Sequence, residues 1–243
     1  MSDEPQRFPA DNPYVAPRAT DAIEPPATLT DDGLPLRPWR TMWTAPRQTI
    51  RRIVSRDPRL HVVTLLCLNG IGQSLGRASQ RNAGDVMALP AILGTALVGG
   101  ALGGCLGGWI VSHVLRITGR WIGGSAERSH LLAAFAWSAV PTVVGLTIWI
   151  PQFAVAGTDL FTSATPRLDA SPVASMVMVV TGILGIALAV WSFVLACNTV
   201  AEVQGFRSAW AGFGNLVLSF VFVAAVVLAI VALVAGMGWL MRR

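Results

Sequence analysis

Histidine, acidic and serine side chains are the groups from which an active site would be built, and their spacing argues against one. His61, His113 and His130 are scattered along the chain and form no HExxH motif, so no zinc-hydrolase site is indicated. Every aspartate lies outside the long apolar stretches, which excludes a paired-aspartate site within a membrane. We recognise no serine nucleophile with a base available to it. We therefore predict that the protein is not an enzyme and binds no cofactor and no metal ion.

The three cysteines do not show the spacing of a disulfide-bonded or metal-binding domain. Cys67, Cys105 and Cys197 are widely spaced, and each lies alone within an apolar run. This pattern contains no CxxC motif and no set of paired spacings typical of a disulfide-bonded domain. We predict that the three cysteines are small core residues.

The densest motif is the glycine-rich stretch GGALGGCLGG, residues 99–108. A phosphate-binding loop would show GxGxxG or GxxxxGK[ST]; the first is not found in this stretch, and the chain contains no lysine. The glycines instead repeat every fourth residue, in two series: Gly99, Gly103 and Gly107, and Gly100, Gly104 and Gly108. Small residues at this spacing allow membrane helices to pack closely. We predict a helix-packing surface, with Gly182 and Gly185 or the alanine-rich start of the third span as candidate partners.

Two amide side chains, Asn69 and Gln73, lie four residues apart in the first apolar stretch and so share one helix face. Polar groups within a membrane helix are either hydrogen-bonded to other helices or placed along a transport pathway. We favour interhelical hydrogen bonding. The alternative is a small permease or transporter subunit whose pathway includes Asn69 and Gln73.

Composition indicates the elements that position these residues. Hydrophobic residues make up 53% of the 243-residue chain and charged residues 13%, about half the charged share of a soluble domain. Stretches without Asp, Glu, Lys or Arg cover residues 60–76, 86–115, 129–158, 170–201 and 208–241. A membrane-spanning helix needs about 20 apolar residues, so the first stretch is marginal and the other four are sufficient. We predict an all-α bundle of five transmembrane helices, at about residues 60–76, 87–115, 130–150, 173–197 and 214–241.

The third span contains Pro141 near its middle, and proline cannot complete the hydrogen-bond ladder of a helix interior. We predict a kink there. The freed carbonyl near Trp137 can be covered by neighbouring helices or by the Ser138 hydroxyl.

The distribution of arginine predicts the orientation. All 18 cationic residues are arginine. With five spans and the N-terminus in the cytoplasm, thirteen arginines lie on the cytoplasmic side and five on the other, in agreement with the positive-inside rule. The arginine-only, alanine-rich composition further suggests a bacterial protein of the cytoplasmic membrane.

The N-terminal region divides into two segments. Residues 1–37 are rich in proline and acidic residues, and we predict a disordered cytoplasmic tail. In residues 38–59, Ile50, Ile53 and Val54 follow helical spacing, and arginines surround this apolar face. We predict a basic amphipathic helix in the membrane interface that binds anionic lipid headgroups rather than nucleic acid. Its lipid-binding residues would be Arg47, Arg51, Arg52 and Arg56.

Several stretches together resemble a known membrane-protein family. They are "PRQTIRRIV", "GRWIGGSAERSHLLAAFAWSAVP" and "AVWSFVLACNTVAEVQGFRSAW", and the residues that contribute most are Trp137, Ser138, Pro141, Glu202, Gly205 and Phe206. From about residue 38 onward the chain resembles the bacterial branch of the Yip1-domain proteins. The resemblance implies five spans and a cytoplasmic N-terminus. Eukaryotic relatives are associated with Rab GTPases and vesicle budding, a role that does not carry over because the acidic aromatic motif before their first span is not recognised here.

These observations predict a non-catalytic integral membrane protein that associates with other membrane proteins, or with itself, through glycine-faced helices. The tail and the basic segment would meet cytosolic partners and anionic lipid.

Overall fold

The computed structural model describes residues 37–240, and the regular structure in this range is entirely helical. The predicted tail therefore lies outside the described residues, except for Arg37, as do residues 241–243. In chain order the α-helices are α1 (Pro38–Thr41), α2 (Pro46–Arg56), α3 (Val62–Gln80), α4 (Leu89–Trp121), α5 (Arg128–Ser138), α6 (Val140–Val144), α7 (Trp149–Ala156), α8 (Pro166–Ala170), α9 (Pro172–Gln204) and α10 (Ala209–Leu240). Short 3₁₀ helices cover Ala83–Asp85, Gly145–Ile148 and Gly157–Phe161.

Four helical segments of the described range are long and apolar enough to cross a membrane: Leu89–Trp121, Val140–Phe161, Pro172–Gln204 and Ala209–Ala235. Large apolar side chains such as Leu102, Ile183 and Leu228 are exposed on them, as expected where lipid is the solvent. The prediction of an all-α membrane protein is confirmed for this range. The predicted first span corresponds to α3, a 19-residue helix that is not among the four.

The third predicted span, residues 130–150, is a longer and interrupted helical segment that runs from Arg128 to Phe161. The interruption is at Ala139, between α5 and α6, and Pro141 lies in the first turn of α6. Proline is compatible with a first turn because the N–H it lacks has no helical partner there. The Ser138 hydroxyl donates to the Phe135 carbonyl at 2.7 Å, and the Thr142 N–H donates to Ser192 Oγ on α9 at 3.3 Å.

The helices connect two ends of the bundle. At one end α2 packs against α5 and α9, and the loop before α5 meets the end of α9, where the Ser125 N–H donates to the Gln204 carbonyl at 3.3 Å. At the other end a buried cluster joins Leu75 of α3, Ile92 of α4 and Phe161 after α7. The α3 helix therefore finishes at the second end, while its start lies beside α1, with the His61 and Trp39 ring centroids 6.3 Å apart.

Candidate functional site: the glycine surface of α4 and the polar cavity beside α3

The glycine-rich part of α4 packs against α3. A Cβ added to Gly104 would lie 2.9 Å from the Gly70 Cα and would collide with the Leu66 carbonyl, and a Cβ added to Gly100 would lie 2.9 Å from the Ile71 Cα. Real Cβ atoms do not tolerate such distances, so the two backbones are in contact only because these positions lack side chains. The third member of the series, Gly108, faces the Leu66 side chain, 2.6 Å from an added Cβ.

The other glycine series of α4 faces outward. A Cβ added to Gly99, Gly103 or Gly107 would meet nothing within 4 Å in the described structure. The neighbouring Leu102 and Leu106 side chains are 68% and 60% exposed. The six glycines predicted as one packing surface are therefore divided between an occupied face and an open face.

The partner of the occupied face is α3, which the sequence did not indicate. An added Cβ at Gly182 or Gly185 would have no neighbour within 4 Å, so neither glycine of α9 makes the contact that we expected. The start of the third span, our other candidate, also differs from the observed partner. The residue that could have indicated α3 as the partner is Gly70, which lies within the stretch that we predicted as a marginal first span.

Asn69 and Gln73 of α3 line a cavity of about 590 Å³ between α3, the third span and α9. The Asn69 Oδ1 accepts a hydrogen bond from Thr142 Oγ1 at 3.2 Å. Across the cavity, the Gln152 amide donates to Thr181 Oγ1 at 2.9 Å. The described residues that line the cavity include amides, hydroxyls, glycines and apolar side chains, and none of them is Asp, Glu, Arg or His. The cavity is therefore suited to neutral polar groups.

Trp137 and the segment before α3 form a second contact region. The Trp137 side chain is fully buried, and its Nε1 donates to the Leu60 carbonyl at 3.1 Å. The Trp39 ring packs edge-on against it, with ring centroids 5.5 Å apart. Trp137 thus fixes the chain leading into α3 against the third span, in the same region as the Ser138 and Pro141 interruption.

The stretch AEVQGF, residues 201–206, forms the end of α9. Gly205 has a left-handed backbone with φ +78°. Its N–H donates to the Glu202 carbonyl at 3.1 Å, and the Phe206 N–H donates to the Ala201 carbonyl at 2.8 Å. These two bonds form a Schellman motif, which satisfies the last carbonyls of a helix and requires a residue that tolerates positive φ. Gly205 therefore has a structural role in stopping the helix.

Glu202 pairs with Arg51 of α2, and Arg47 Nη1 donates to the Arg207 carbonyl at 3.2 Å. The apolar face of α2 is covered by protein, because Ile50 and Ile53 are fully buried where α2 packs on α5 and α9. An interfacial helix would bury this face in lipid. In this respect the prediction for α2 is wrong, because the end of the bundle offers an apolar surface that the helix covers.

A buried polar cluster joins α4, α9 and α10, and most of it was missed from the sequence. The Gln204 amide donates to the Leu115 carbonyl at 3.0 Å and accepts from the Ala126 N–H at 3.2 Å. The Thr118 hydroxyl donates to the Asn215 Oδ1 and lies 2.7 Å from Ser219 Oγ. The available signal was the four-residue spacing of Asn215 and Ser219 in an otherwise apolar span. Gln204 also fits closely against Gly119 and Gly124, where an added Cβ would collide with its amide.

Among residues 37–240, the remaining reactive groups are not arranged as a hydrolase or metal site. A GxSxG pattern is present at residues 72–76, although we predicted no serine nucleophile from the sequence. It lies inside α3 rather than at the strand-to-helix turn that exposes a hydrolase nucleophile, and the Ser74 Cβ lies 3.0 Å from a Cβ added to Gly100. Within residues 37–240, no three His, Cys, Asp or Glu residues converge as a metal ion would require.

Comparison with known proteins gives one family. The family model of the Yip1 domain matches residues 39–240, most of the chain and nearly all of the described range. No curated protein and no solved structure gives a significant match.

Proposed function

We infer the function from a family and a geometry: this chain belongs to the Yip1-domain family, and its most extensively glycine-lined helix keeps one face open. Membership and the apolar helices make it a membrane protein. We propose that it is non-catalytic and acts by associating with other membrane proteins or with a second copy of itself.

The observation that supports association is the open series Gly99, Gly103 and Gly107. These glycines lie on a membrane helix whose other glycine series is already packed against α3. Helices in lipid associate through close van der Waals contact at small residues, since apolar side chains gain nothing by leaving lipid for one another. A second helix could therefore approach the α4 backbone at this face as closely as α3 does at the other.

The association proposal is tested with Gly103→Leu and a matched control, Gly94→Leu. Gly94 is on the same helix, roughly 180° around it from Gly103, and it too has no neighbour within 4 Å of an added Cβ. We expect Gly103→Leu to reduce energy transfer between labelled chains in liposomes, or cross-linking to native partners, and Gly94→Leu to leave both unchanged. Equal association in both variants and the unmodified chain would contradict the proposal.

We also propose that α3 is a fifth span and that the N-terminus is cytoplasmic, in the cytoplasmic membrane of a bacterium. A 19-residue helix is about 29 Å long, close to the thickness of a hydrocarbon core. Its start lies beside α1, where the His61 and Trp39 ring centroids are 6.3 Å apart, and α1 contacts α2; its Leu75 lies in the cluster at the opposite end. Close packing on α4 covers one face of the helix with protein, and the Thr142 hydroxyl gives the Asn69 amide a partner.

Reporter fusions test this topology. Fusions at residue 36, within residues 116–128 and after residue 243 should report cytoplasm, cytoplasm and the opposite side, in that order. An N-terminus outside the cytoplasm would contradict the proposed orientation. Residues 36 and 116–128 on opposite sides would contradict five spans.

Anionic lipid is the proposed partner of the basic face of α2, which carries Arg47, Arg51, Arg52 and Arg56. The test replaces Arg52 and Arg56 together by Gln and compares this double variant with the unmodified chain. We expect the double variant to retain less phosphatidylglycerol after purification of the full chain. Unchanged lipid retention would count against this role for α2.

A second candidate function, that of a small permease or transporter subunit, is favoured by the cavity that Asn69 and Gln73 line. Its neutral lining would suit an uncharged polar solute. Replacing Asn69 and Gln73 together by Ala should then abolish uptake of such a solute into proteoliposomes, whereas Asn198→Ala, on α9 and outside the cavity lining, should not. If Gly103→Leu loses association while the Asn69 and Gln73 double variant retains uptake, this candidate ranks below the first.

A further inference from the structure

Two thiols meet where α3 packs on α4. The Cys67 Sγ lies 3.4 Å from the Cys105 Sγ, although the residues are 38 positions apart in the chain. Both side chains are partly buried, whereas Cys197 is buried on α9. The three cysteines that the sequence treats as separate core residues therefore comprise a pair and a single thiol.

The glycine contact is what brings the pair together. Cys105 directly follows Gly104, whose added Cβ would collide with the Leu66 carbonyl, and Leu66 directly precedes Cys67. The helices can approach this closely because Gly70 and Gly104 place no Cβ between the backbones. A disulfide has a sulfur–sulfur distance of about 2.05 Å, so the two atoms need to move together by roughly 1.4 Å.

We propose that Cys67 and Cys105 are a reversible oxidation site that forms a disulfide between α3 and α4. The oxidant is a membrane-soluble quinone, a class of two-electron acceptor that reaches groups on membrane-spanning helices. Both S–H bonds break, one S–S bond forms, and two protons and two electrons pass to the quinone, which becomes a quinol. The bond covalently joins α3, the most polar of the long helices, to its packing partner.

The experiment uses the full chain, reduced and then placed in lipid nanodiscs, with a fully ring-substituted, short-chain benzoquinone as the probe, because an open ring position would add a thiol instead of oxidising it. After acid quenching and denaturation, free thiols are counted by alkylation with a polyethylene-glycol maleimide. We expect the count to fall from three thiols to one in a monomeric chain, with an intact-mass decrease of about 2 Da for the unalkylated protein. Dithiothreitol should restore all three.

Single-cysteine variants identify the pair. Cys67→Ser and Cys105→Ser should each keep two free thiols after quinone treatment, whereas Cys197→Ser should fall from two to none. Three thiols remaining in the unmodified chain would overturn the proposal. So would a loss that depends on Cys197, or one that occurs only with a bond between two chains.

A pair of glycine variants tests the geometric cause. Gly104→Ala should slow disulfide formation by at least about tenfold, since a displaced α3 separates the sulfurs beyond bonding range. Gly103→Ala, one residue away on the open face, should oxidise at the unmodified rate. Equal rates in the two variants would contradict the role of the glycine contact, and neither result depends on whether the chain associates with partners.

Discussion

Two series of three glycines lie one residue apart on the same helix and differ in what they meet. Gly100, Gly104 and Gly108 face α3, whereas a Cβ added to Gly99, Gly103 or Gly107 would meet no described atom within 4 Å. Residue type, period and depth in the helix are the same for both series. The comparison teaches that a spacing of four indicates a surface able to pack, while the partner decides which part of that surface is used.

The partner in this case is the least apolar of the long helices. The α3 helix contains Asn69 and Gln73 and ends in a segment with Arg77, so lipid alone solvates it poorly. Close contact with α4 and a hydrogen bond to the third span offset this cost. The occupied glycine series therefore packs against α3, the long helix that lipid alone solvates least well.

The largest difference between the two series should appear on substitution by valine. Gly104→Val forces a side chain against the α3 backbone, and overpacking of this kind costs about 3 kcal/mol or more when a backbone has to move. The measurement is the free energy of unfolding in mixed detergent micelles, compared with Gly103→Val. If the two variants are equally stable, α3 and α4 are not in the contact described.

The buried amide of Gln204 extends the comparison to another position where α4 is closely packed, Gly119. Gln204→Leu keeps the side-chain volume but leaves the buried Ala126 N–H without its partner, while the Leu115 carbonyl loses one donor and keeps the Asn215 amide. We expect a loss of about 2 kcal/mol.

The control for Gln204→Leu is Asn198→Leu. The Asn198 amide bonds only within its own helix among the contacts described, to the Val194 carbonyl. Its replacement should change stability by less than about 0.5 kcal/mol. A smaller loss in Gln204→Leu than in Asn198→Leu would contradict the role assigned to the cluster.

Gly108 sharpens the comparison within the occupied series, because it faces a flexible side chain instead of a backbone. Gly108→Ala should cost about 1 kcal/mol. Shortening the facing side chain in the double variant Gly108→Ala with Leu66→Val should recover part of this loss. A double-variant cycle on the unfolding free energy measures the coupling, and strictly additive effects would show that the two positions do not touch.

The smallest effect is expected on the open face. Gly103→Ala places a methyl group where no atom lies within 4 Å, so the free energy of unfolding should change by less than about 0.5 kcal/mol. A loss above this value in a monomeric preparation would mean that the outward face is packed against something within the chain.

Local features of the fold follow from the sequence because they depend on neighbouring residues. Pro46 begins α2, since proline at a first turn needs no hydrogen-bond donor. Gly205 ends α9 because only glycine adopts the left-handed backbone there without strain. The charge-free stretches predicted the four long apolar segments, since transfer of apolar residues into lipid depends on composition and length.

Which residues of distant segments contact each other is known only from the tertiary structure. The sequence alone does not indicate which arginine meets Glu202, and packing of α2 on α9 selected Arg51. It placed the apolar face of α2 at the interface, where the bundle end instead covers Ile50 and Ile53. It gave no reason to pair Cys67 with Cys105.

The sequence by itself determined that lipid is the solvent and that the fold is helical, and residues such as Pro46 and Gly205 set individual helix ends, because each of these depends on residues within one segment. The tertiary structure alone decided which glycine series is filled, which arginine meets Glu202 and which thiols are adjacent. These choices depend on the relative position of helices, and a helix surface with a period of four presents several faces that could pack equally well until one neighbour occupies one of them.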